Sequence, residues 1–183
     1  MMITALLLAA GESNRTKPIL KPLLPVDGKT VIEVIIEKLK ESRVDRIVVV
    51  LGHKAEQIEK VIKEDIVFNK EYKKGMLSSV KEGIRSNPDS NFLIYLVDHP
   101  LIEVKTINKI IDSYDNEKIV IPTYKGKRGH PILIPYSLIK ELSSFKGKTL
   151  RDFVHDHEIK EVETDDKGTI INLNTLEDFK KYF

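Results

Sequence analysis

The sequence has no cysteine among its 183 residues, and neither acidic nor basic residues are in clear excess. The absence of cysteine excludes disulfide bonds, thiolate metal sites and a cysteine nucleophile. The 30 lysines and arginines stand against 28 aspartates and glutamates and leave a formal net charge of +2. Such a balance argues against binding to nucleic acid or to an anionic membrane, so we expect neither among the partners.

The apolar segment near the start of the chain, residues 5–10, is too short to span a membrane, and no basic region precedes it. It therefore predicts a buried strand rather than a signal peptide or an anchor. No repeat, linker or low-complexity tract divides the sequence. A chain of this length fits one domain and can bury roughly 70% of its unfolded surface. We expect one soluble, cytoplasmic domain over residues 1–183.

Apolar runs and amphipathic segments alternate along most of the chain. The runs predict strands at residues 5–10, 47–51, 65–68, 92–97 and 118–121, and the amphipathic segments predict helices at 31–39, 55–62, 76–84 and 104–114. The alternation breaks at a basic turn, residues 125–128, beyond which we expect strands at 132–134 and 159–162 and helices near 137–142, 149–155 and 175–182. This order predicts an α/β three-layer sandwich, a mostly parallel sheet with helices on both faces, whose ligand lies beyond the carboxyl ends of the strands.

The loop after the first strand has the composition of an anion-binding site. Ala9, Ala10 and Gly11 keep side-chain bulk away, so that backbone N–H groups can approach an anion. Arg15 adds a guanidinium group, which can donate two parallel hydrogen bonds, and Lys21 adds an ammonium group. The loop therefore predicts a polyphosphate ligand.

Two common phosphate loops do not fit this segment. A Walker A loop needs a Ser or Thr after its Lys, whereas Pro18 follows Lys17, and the dinucleotide fingerprint needs three glycines where only Gly11 is present. Residues 8–25 instead resemble the opening signature of the MobA/MocA-like nucleotidyltransferases, Leu-Ala-Ala-Gly-x-Ser-x-Arg followed by a Lys and Leu-Leu-Pro. That family usually has Met-Gly after the Arg, where this chain has Thr16 and Lys17. The resemblance implies a Rossmann-like, GT-A-like nucleotidyltransferase fold.

Asp98 directly follows the apolar run at residues 92–97, so its carboxylate lies at the tip of a buried strand. Burying a carboxylate there costs free energy unless a cation such as Mg²⁺ lies beside it. The alternative is that this Asp, two residues before Pro100, caps a turn. The segment Val-Asp-His-Pro resembles the family's Gly-Asp-Gln-Pro, whose Asp holds the metal, with Val97 and His99 replacing Gly and Gln.

Near the C-terminus, residues 172–178 resemble the family's Asn-x-Asn-Thr-Pro-Glu-Asp segment. Thr175 and Asp178 have the spacing of a capping box for the last helix. The resemblance implies that Asn174 joins Asp98 at the metal, since an amide oxygen is a suitable ligand for Mg²⁺. Asn172 is the alternative ligand.

Two further segments resemble the family. Residues 69–83 follow its Asn-x-x-aromatic-x-x-Gly-Met-x-x-Ser pattern. Gly75, Ser78 and Ser79 lie at a predicted helix start, where N–H groups and hydroxyls could bind a nucleotide. The alternative is an ordinary helix start without a ligand. Residues 126–132 follow Gly-x-Arg-Gly-His-Pro, which implies acceptor contacts from Arg128, Gly129 and His130. A lone His in a loop is more often structural than catalytic. The run at residues 155–158, in which each of two His is followed by an acidic residue, indicates a helix end rather than a metal site.

Taken together, the resemblance implies Mg²⁺-dependent nucleotidyl transfer from CTP to a phosphomonoester such as molybdopterin, with a molybdoenzyme as recipient of the product. The implied catalytic residues are Arg15, Lys21 and Asp98, and the implied metal ligands are Asp98 and Asn174. The implied nucleotide-binding residues are Leu8, Ala9, Ala10, Gly11, Arg15, Lys21, Gly75, Ser78 and Ser79.

The choice of CTP rests on Ala10, because the guanylyl-transferring relatives have Leu-Ala-Gly-Gly at this point of the loop. Two alternatives stay open at this stage. One is transfer to a sugar or polyol phosphate. The other is a nucleotide-binding maturation factor without transferase activity.

Overall fold

The computed structural model of the protein describes residues 2–12 and 19–183. Arg15 and its neighbours Thr16 and Lys17 lie outside the described residues, so the role predicted for Arg15 stays a prediction. The strands are β1 (Ile3–Ala9), β2 (Pro25–Val26), β3 (Lys29–Thr30), β4 (Arg46–Leu51), β5 (Asp65–Phe68), β6 (Asn91–Leu96), β7 (Ile119–Tyr124), β8 (Lys127–Arg128), β9 (Ile132–Ile134) and β10 (Ile159–Glu163).

The α-helices are α1 (Val31–Glu41), α2 (Ala55–Ile58), α3 (Met76–Ser86), α4 (Val104–Asp112), α5 (Ile139–Ser144), α6 (Leu150–His155) and α7 (Leu176–Tyr182). Short 3₁₀ turns lie at Lys21–Leu23, Glu59–Val61, Tyr72–Lys74, Tyr136–Leu138 and Lys167–Ile170. Two predicted helix starts are confirmed in detail. The backbone N–H of Thr30 donates to Glu33 (2.8 Å), and the backbone N–H of Asp178 donates to Thr175 Oγ1 (3.1 Å).

Across the described residues, the main sheet has eight strands in the order β10-β7-β9-β6-β1-β4-β5, with β8 paired to β7. Most neighbours are parallel, and the antiparallel pairs all involve β8 or β9. The cause is the turn after β7, where Lys125 (φ 48°) and Gly126 (φ 74°) are both left-handed. A two-residue turn of this kind returns the chain as a hairpin, which is why the alternation of strands and helices breaks there. The predicted mostly parallel sheet is confirmed.

Apolar side chains cover both faces of this sheet. In β1, Leu7 points into the core formed with Ile35 of α1 and Ile110 of α4, whereas Leu6 points into the core formed with Val80 of α3 and Phe153 of α6. Successive residues of a strand face opposite sides, so an unbroken apolar run is what a strand covered on both faces requires. The predicted three-layer sandwich is confirmed.

Two local features differ from the prediction. Strands β2 and β3 form a small hairpin before α1, around Asp27 (φ 49°) and Gly28 (φ 80°). Strands of two residues show no periodicity, although an Asp-Gly pair is a strong hairpin signal. The predicted helix at residues 55–62 is a single α-helical turn, α2, that tightens into the 3₁₀ turn Glu59–Val61.

None of the helices in the described part of the chain is both long and apolar enough to cross a membrane.

Candidate functional site

A cleft opens where β1 and β6 end side by side. The two strands are parallel neighbours, with Leu8 paired to Leu96, and the backbone N–H of Val97 donates to Leu8 O at 3.2 Å. The loops after both strands therefore leave the sheet at one edge, as the topology predicts. Seven of the predicted nucleotide-binding residues line this cleft, namely Leu8, Ala9, Ala10, Gly11, Lys21, Gly75 and Ser79.

Tyr72 also lines the cleft, although the sequence analysis did not include it in the site. It approaches because Gly52, which follows β4, has no side chain. A Cβ at Gly52 would lie 2.6 Å from the Cβ of Tyr72 and 2.9 Å from Ala10 O. The aromatic position in the family pattern at residues 69–83 is the sequence signal that points to Tyr72.

The start of α3 brings Gly75 and Ser79 to the cleft but turns Ser78 away from it. Gly75 has a φ of 100°, a backbone conformation that residues with a side chain rarely adopt. The amide of Asn69 donates to Ser78 Oγ (2.8 Å) and to Ser79 Oγ (2.9 Å). Ser79 is buried against the cleft, whereas Ser78 lines a separate surface depression beside Lys81. Asn69 thus fixes both hydroxyls, and only that of Ser79 lies at the predicted nucleotide site.

Three side chains from distant parts of the sequence meet at what we call the floor of the cleft, where Lys21 and Asp98 line it and Asn174 contacts Lys21. Lys21 Nζ donates to Asn174 Oδ1 at 2.8 Å and lies 3.8 Å from Asp98 Oδ2. The side chains of Lys21 and Asp98 are 14% and 20% exposed. The backbone N–H of Leu173 donates to Asp98 O at 2.8 Å and fixes the segment that carries Asn174, whereas Asn172 is exposed. The structure therefore brings Asn174, rather than Asn172, to Asp98.

Asp98 is an ionised carboxylate held by a hydrogen bond. Burial opposes its ionisation, but the hydrogen bond from His99 Nδ1 to Oδ1 (2.8 Å) and the nearby charge of Lys21 outweigh burial and hold the pKa of Asp98 below its usual range. The Oδ1 atom is thus engaged with His99, and Oδ2 faces Lys21. His99 takes the place of the family's Gln and orients the carboxylate, a role that the sequence analysis did not assign.

The rings of His99 and His130 lie side by side next to the carboxylate of Asp98. Their ring centroids are 5.0 Å apart, and the hydroxyl of the buried Tyr95 donates to His99 O at 2.9 Å. Nδ1 of His130 is buried and has no hydrogen-bond partner among the described residues. Burial and the adjacent His99 lower the pKa of His130 to about 4, so its imidazole is neutral at pH 7.

The three predicted acceptor residues lie together in a second pocket beside the cleft. Arg128, Gly129 and His130 line it, and Met76 lines both this pocket and the cleft. Arg128 Nε donates to Glu161 Oε1 (2.7 Å) on the surface. Arg151 and His155 of α6 also border this pocket, although no sequence pattern points to them.

Gly129 is required by a close backbone approach. A Cβ on Gly129 would lie 2.3 Å from Thr169 O, the atom that accepts the backbone N–H of His130 at 2.9 Å. The segment that runs from Thr169 to Asn174 therefore reaches both the second pocket and the floor of the cleft.

We expect Gly129→Ala to lower the free energy of unfolding by about 1–3 kcal/mol, because the added methyl group must displace the backbone at Thr169. Urea unfolding followed by circular dichroism measures the change. Gly11→Ala is the matched control, since a Cβ there meets nothing within 4 Å among the described residues. Equal stability of the two variants would contradict the close approach.

Asp98 and Asn174 offer oxygen ligands of the kind that Mg²⁺ and Mn²⁺ accept. The described residues contain no cluster of three or more His, Cys, Asp or Glu with metal-binding geometry. However, Asn174 Oδ1 and Asp98 Oδ2 both face the ammonium group of Lys21, so the two oxygens converge on a position that favours positive charge. A divalent ion shared with the phosphates of a ligand fits this pair.

Relatives of the chain include several enzymes. The molybdenum cofactor cytidylyltransferase of Escherichia coli is 25% identical over 182 residues, 97% of this chain and 93% of that protein. A nicotine blue oxidoreductase of Paenarthrobacter nicotinovorans is 29% identical over 153 residues, 78% of this chain and 75% of that protein. The bifunctional protein GlmU of Acholeplasma laidlawii is 31% identical over 170 residues, 87% of this chain, and the chain spans only 36% of its length.

Solved structures share the fold over nearly the whole chain. A nucleotidyl transferase from Methanothermobacter (Mth528) superposes with a TM-score of 0.86 at 23% identity and covers 98% of this chain and 95% of that one. Rv0371C of Mycobacterium tuberculosis, solved as a complex with manganese, superposes with a TM-score of 0.81 at 24% identity and covers 99% and 97%. These likenesses show the α/β nucleotidyltransferase fold.

The MobA-like NTP transferase domain matches residues 5–162, which include the loop after β1, the start of α3, Asp98 and the second pocket. The remaining part of the site, Asn174, lies beyond the matched residues but contacts Lys21 within them. The chain therefore belongs to the family of MobA-like NTP transferase domains and is a nucleotidyltransferase.

Proposed function

We propose that the protein transfers a cytidylyl group from CTP to a phosphomonoester, with molybdopterin as the acceptor, and releases pyrophosphate in an Mg²⁺-dependent reaction. The observation that carries this proposal is the meeting of Lys21, Asp98 and Asn174 beside the cleft that Ala10 and Gly11 line. This arrangement places a positive charge and two oxygen ligands beside a backbone that can approach phosphates.

Asp98 Oδ2 and Asn174 Oδ1 would hold the divalent ion, which when bound neutralises charge on the phosphate oxygens. His99 keeps Asp98 in place through its hydrogen bond to Oδ1, which leaves Oδ2 to face the cleft. The ammonium group of Lys21 would bind the departing pyrophosphate and stabilise its charge. Arg15, outside the described residues, is proposed to act with Lys21.

In this reaction an oxygen of the acceptor phosphate attacks the α-phosphorus of the triphosphate. The new phosphorus–oxygen bond forms as the bond to the β-phosphate oxygen breaks, and the electron pair leaves with pyrophosphate. The protein supplies positioning and electrostatic stabilisation, and the reaction needs no covalent enzyme intermediate. Backbone N–H groups of Ala10 and Gly11 would hold the phosphates, and Gly75 and Ser79 would contact the nucleoside.

The acceptor is proposed to enter the second pocket, where Arg128, Gly129 and His130 lie next to the floor of the cleft. The likeness to the E. coli cytidylyltransferase over 97% of this chain supports molybdopterin as the acceptor and a molybdoenzyme as the recipient of the product. Membership of the NTP transferase family leaves a second candidate, transfer to another phosphorylated acceptor such as a sugar or polyol phosphate. A panel of acceptors in one pyrophosphate-release assay separates the two.

The proposed base preference rests on Ala10, which lines the cleft and whose methyl group would narrow the space for the base. We expect the protein to prefer CTP over GTP, and Ala10→Gly to shift this preference towards GTP by roughly ten- to two-hundredfold without inverting it, since a methyl-sized change of fit is worth about 1–3 kcal/mol. Competition between the two triphosphates, followed by mass spectrometry of the products, measures the shift. A wild-type preference for GTP would contradict the cytidylyl assignment, and triphosphate turnover without pyrophosphate release would contradict transfer altogether.

A further inference from the structure

The ammonium group of Lys21 lies against the same two oxygens that are proposed to bind the divalent ion. Lys21 Nζ donates to Asn174 Oδ1 at 2.8 Å and lies 3.8 Å from Asp98 Oδ2. The two charged groups are mostly shielded from solvent, with the Lys21 side chain 14% exposed and the Asp98 side chain 20% exposed. Lys21 therefore acts here as the counter-ion of the proposed metal ligands.

A divalent ion and this ammonium group exclude each other. An ion coordinated by Asp98 Oδ2 and Asn174 Oδ1 would lie about 2.0–2.6 Å from both oxygens, and so within a few Å of Nζ in its present position. Two positive charges at that separation repel strongly in a site that is screened from water. The oxygen of Asn174 would also have to exchange its hydrogen bond from Lys21 for the ion.

Lys21 can reach another partner within the same cleft. Its backbone is fixed at the start of the 3₁₀ turn Lys21–Leu23, where the buried Pro22 follows, so that a movement of Lys21 would involve the side chain alone. Lys21 lines the cleft together with Ala10 and Gly11, where a triphosphate would lie. Phosphate oxygens placed there would attract the ammonium group away from Asp98 and Asn174.

We infer that Lys21 competes with the divalent ion for Asp98 and Asn174, and that the triphosphate relieves this competition by drawing Lys21 to its phosphates. The inference rests on the metal site of the proposed function. It makes ion binding and triphosphate binding mutually favourable, because each removes the partner that hinders the other. Lys21 is thus both a phosphate-binding residue and a positioning residue that couples the two ligands.

The test measures Mn²⁺ binding by electron paramagnetic resonance without any nucleotide. We expect Lys21→Met to bind Mn²⁺ at least tenfold more tightly than the wild type, although the same variant should bind triphosphate more weakly. Lys21→Gln, which is neutral but can still donate to Asn174, should change Mn²⁺ affinity in the same direction by a smaller factor. Lys140→Met is the control, since Lys140 is exposed on α5 and lines neither the cleft nor the second pocket, and it should leave Mn²⁺ affinity unchanged.

Unchanged or weaker Mn²⁺ binding by Lys21→Met would overturn the inference. The double variant Lys21→Met with Asp98→Asn separates this failure from a failure of the proposed site. If Mn²⁺ binds at Asp98, the double variant loses the ion, and only the role of Lys21 is then in question. If Asp98→Asn leaves Mn²⁺ binding intact, the metal site of the proposed function is itself wrong.

Discussion

Replacement of Asp98 by Asn is expected to lower the rate of nucleotidyl transfer by about a thousandfold or more, because the variant removes the charged ligand of the proposed ion. The substitution is nearly isosteric, and the new amide oxygen can still accept the hydrogen bond that His99 Nδ1 gives to Oδ1. We therefore expect the fold to be retained. Steady-state pyrophosphate release at saturating CTP and Mg²⁺ measures the rate.

Asp89→Asn provides a matched control, since Asp89 is an exposed aspartate in the loop before β6 and does not line the cleft. The control should keep the wild-type rate. Thermal unfolding of both variants would show whether lost activity has a structural cause. An Asp98→Asn protein with more than about a tenth of the wild-type rate would mean that Asp98 does not hold the ion.

Acid is expected to destabilise the protein through His130. Burial lowers the pKa of this residue from 6.5 to about 4, so the unfolded chain binds a proton in this window that the folded protein does not. Stability therefore falls as the pH falls from above 6.5 towards 4, and it is fully present only above the pKa of the unfolded state. From pH 7.5 to 5 the expected loss is about 2 kcal/mol. Urea unfolding at a series of pH values measures it.

His130→Gln should remove this part of the pH dependence, since Gln does not titrate. Other titrating groups are common to both proteins, so the quantity to compare is the difference between the two curves of unfolding free energy against pH. We restrict the comparison to pH 5 and above because the carboxylates whose pKa values are lowered, such as Glu33 and Asp98, titrate below that range. Parallel curves for the two proteins would contradict the burial of a neutral His130.

The main sheet could be predicted from the sequence because its strands carry unbroken apolar runs and its helices carry one apolar face. In β1, every residue is buried. The hairpin β2–β3 and the short α2 could not be predicted in this way, since segments of two to four residues are too short to show a period. They depend on turn geometry and on packing against neighbouring elements.

The site could be predicted in part. The topology rule placed Gly11 and Asp98 at one edge of the sheet, but it could not show that Lys21 donates to Asn174, which is 153 residues away in sequence. Nor could it assign Tyr72, whose approach depends on Gly52, or His99, which replaces the residue typical of the family. Contacts of this kind depend on how distant segments pack, and a single sequence does not contain that information in a readable pattern.

The most direct test of the account is a product analysis by phosphorus nuclear magnetic resonance, with CTP, molybdopterin and Mg²⁺ as substrates for the wild-type protein. We predict equal amounts of pyrophosphate and of a dinucleotide that joins cytidine monophosphate to the acceptor phosphate, and neither product when Mg²⁺ is removed by a chelator. If CTP remains unchanged with molybdopterin and with every phosphomonoester tested, or is only hydrolysed, the proposed transfer at Lys21, Asp98 and Asn174 is contradicted.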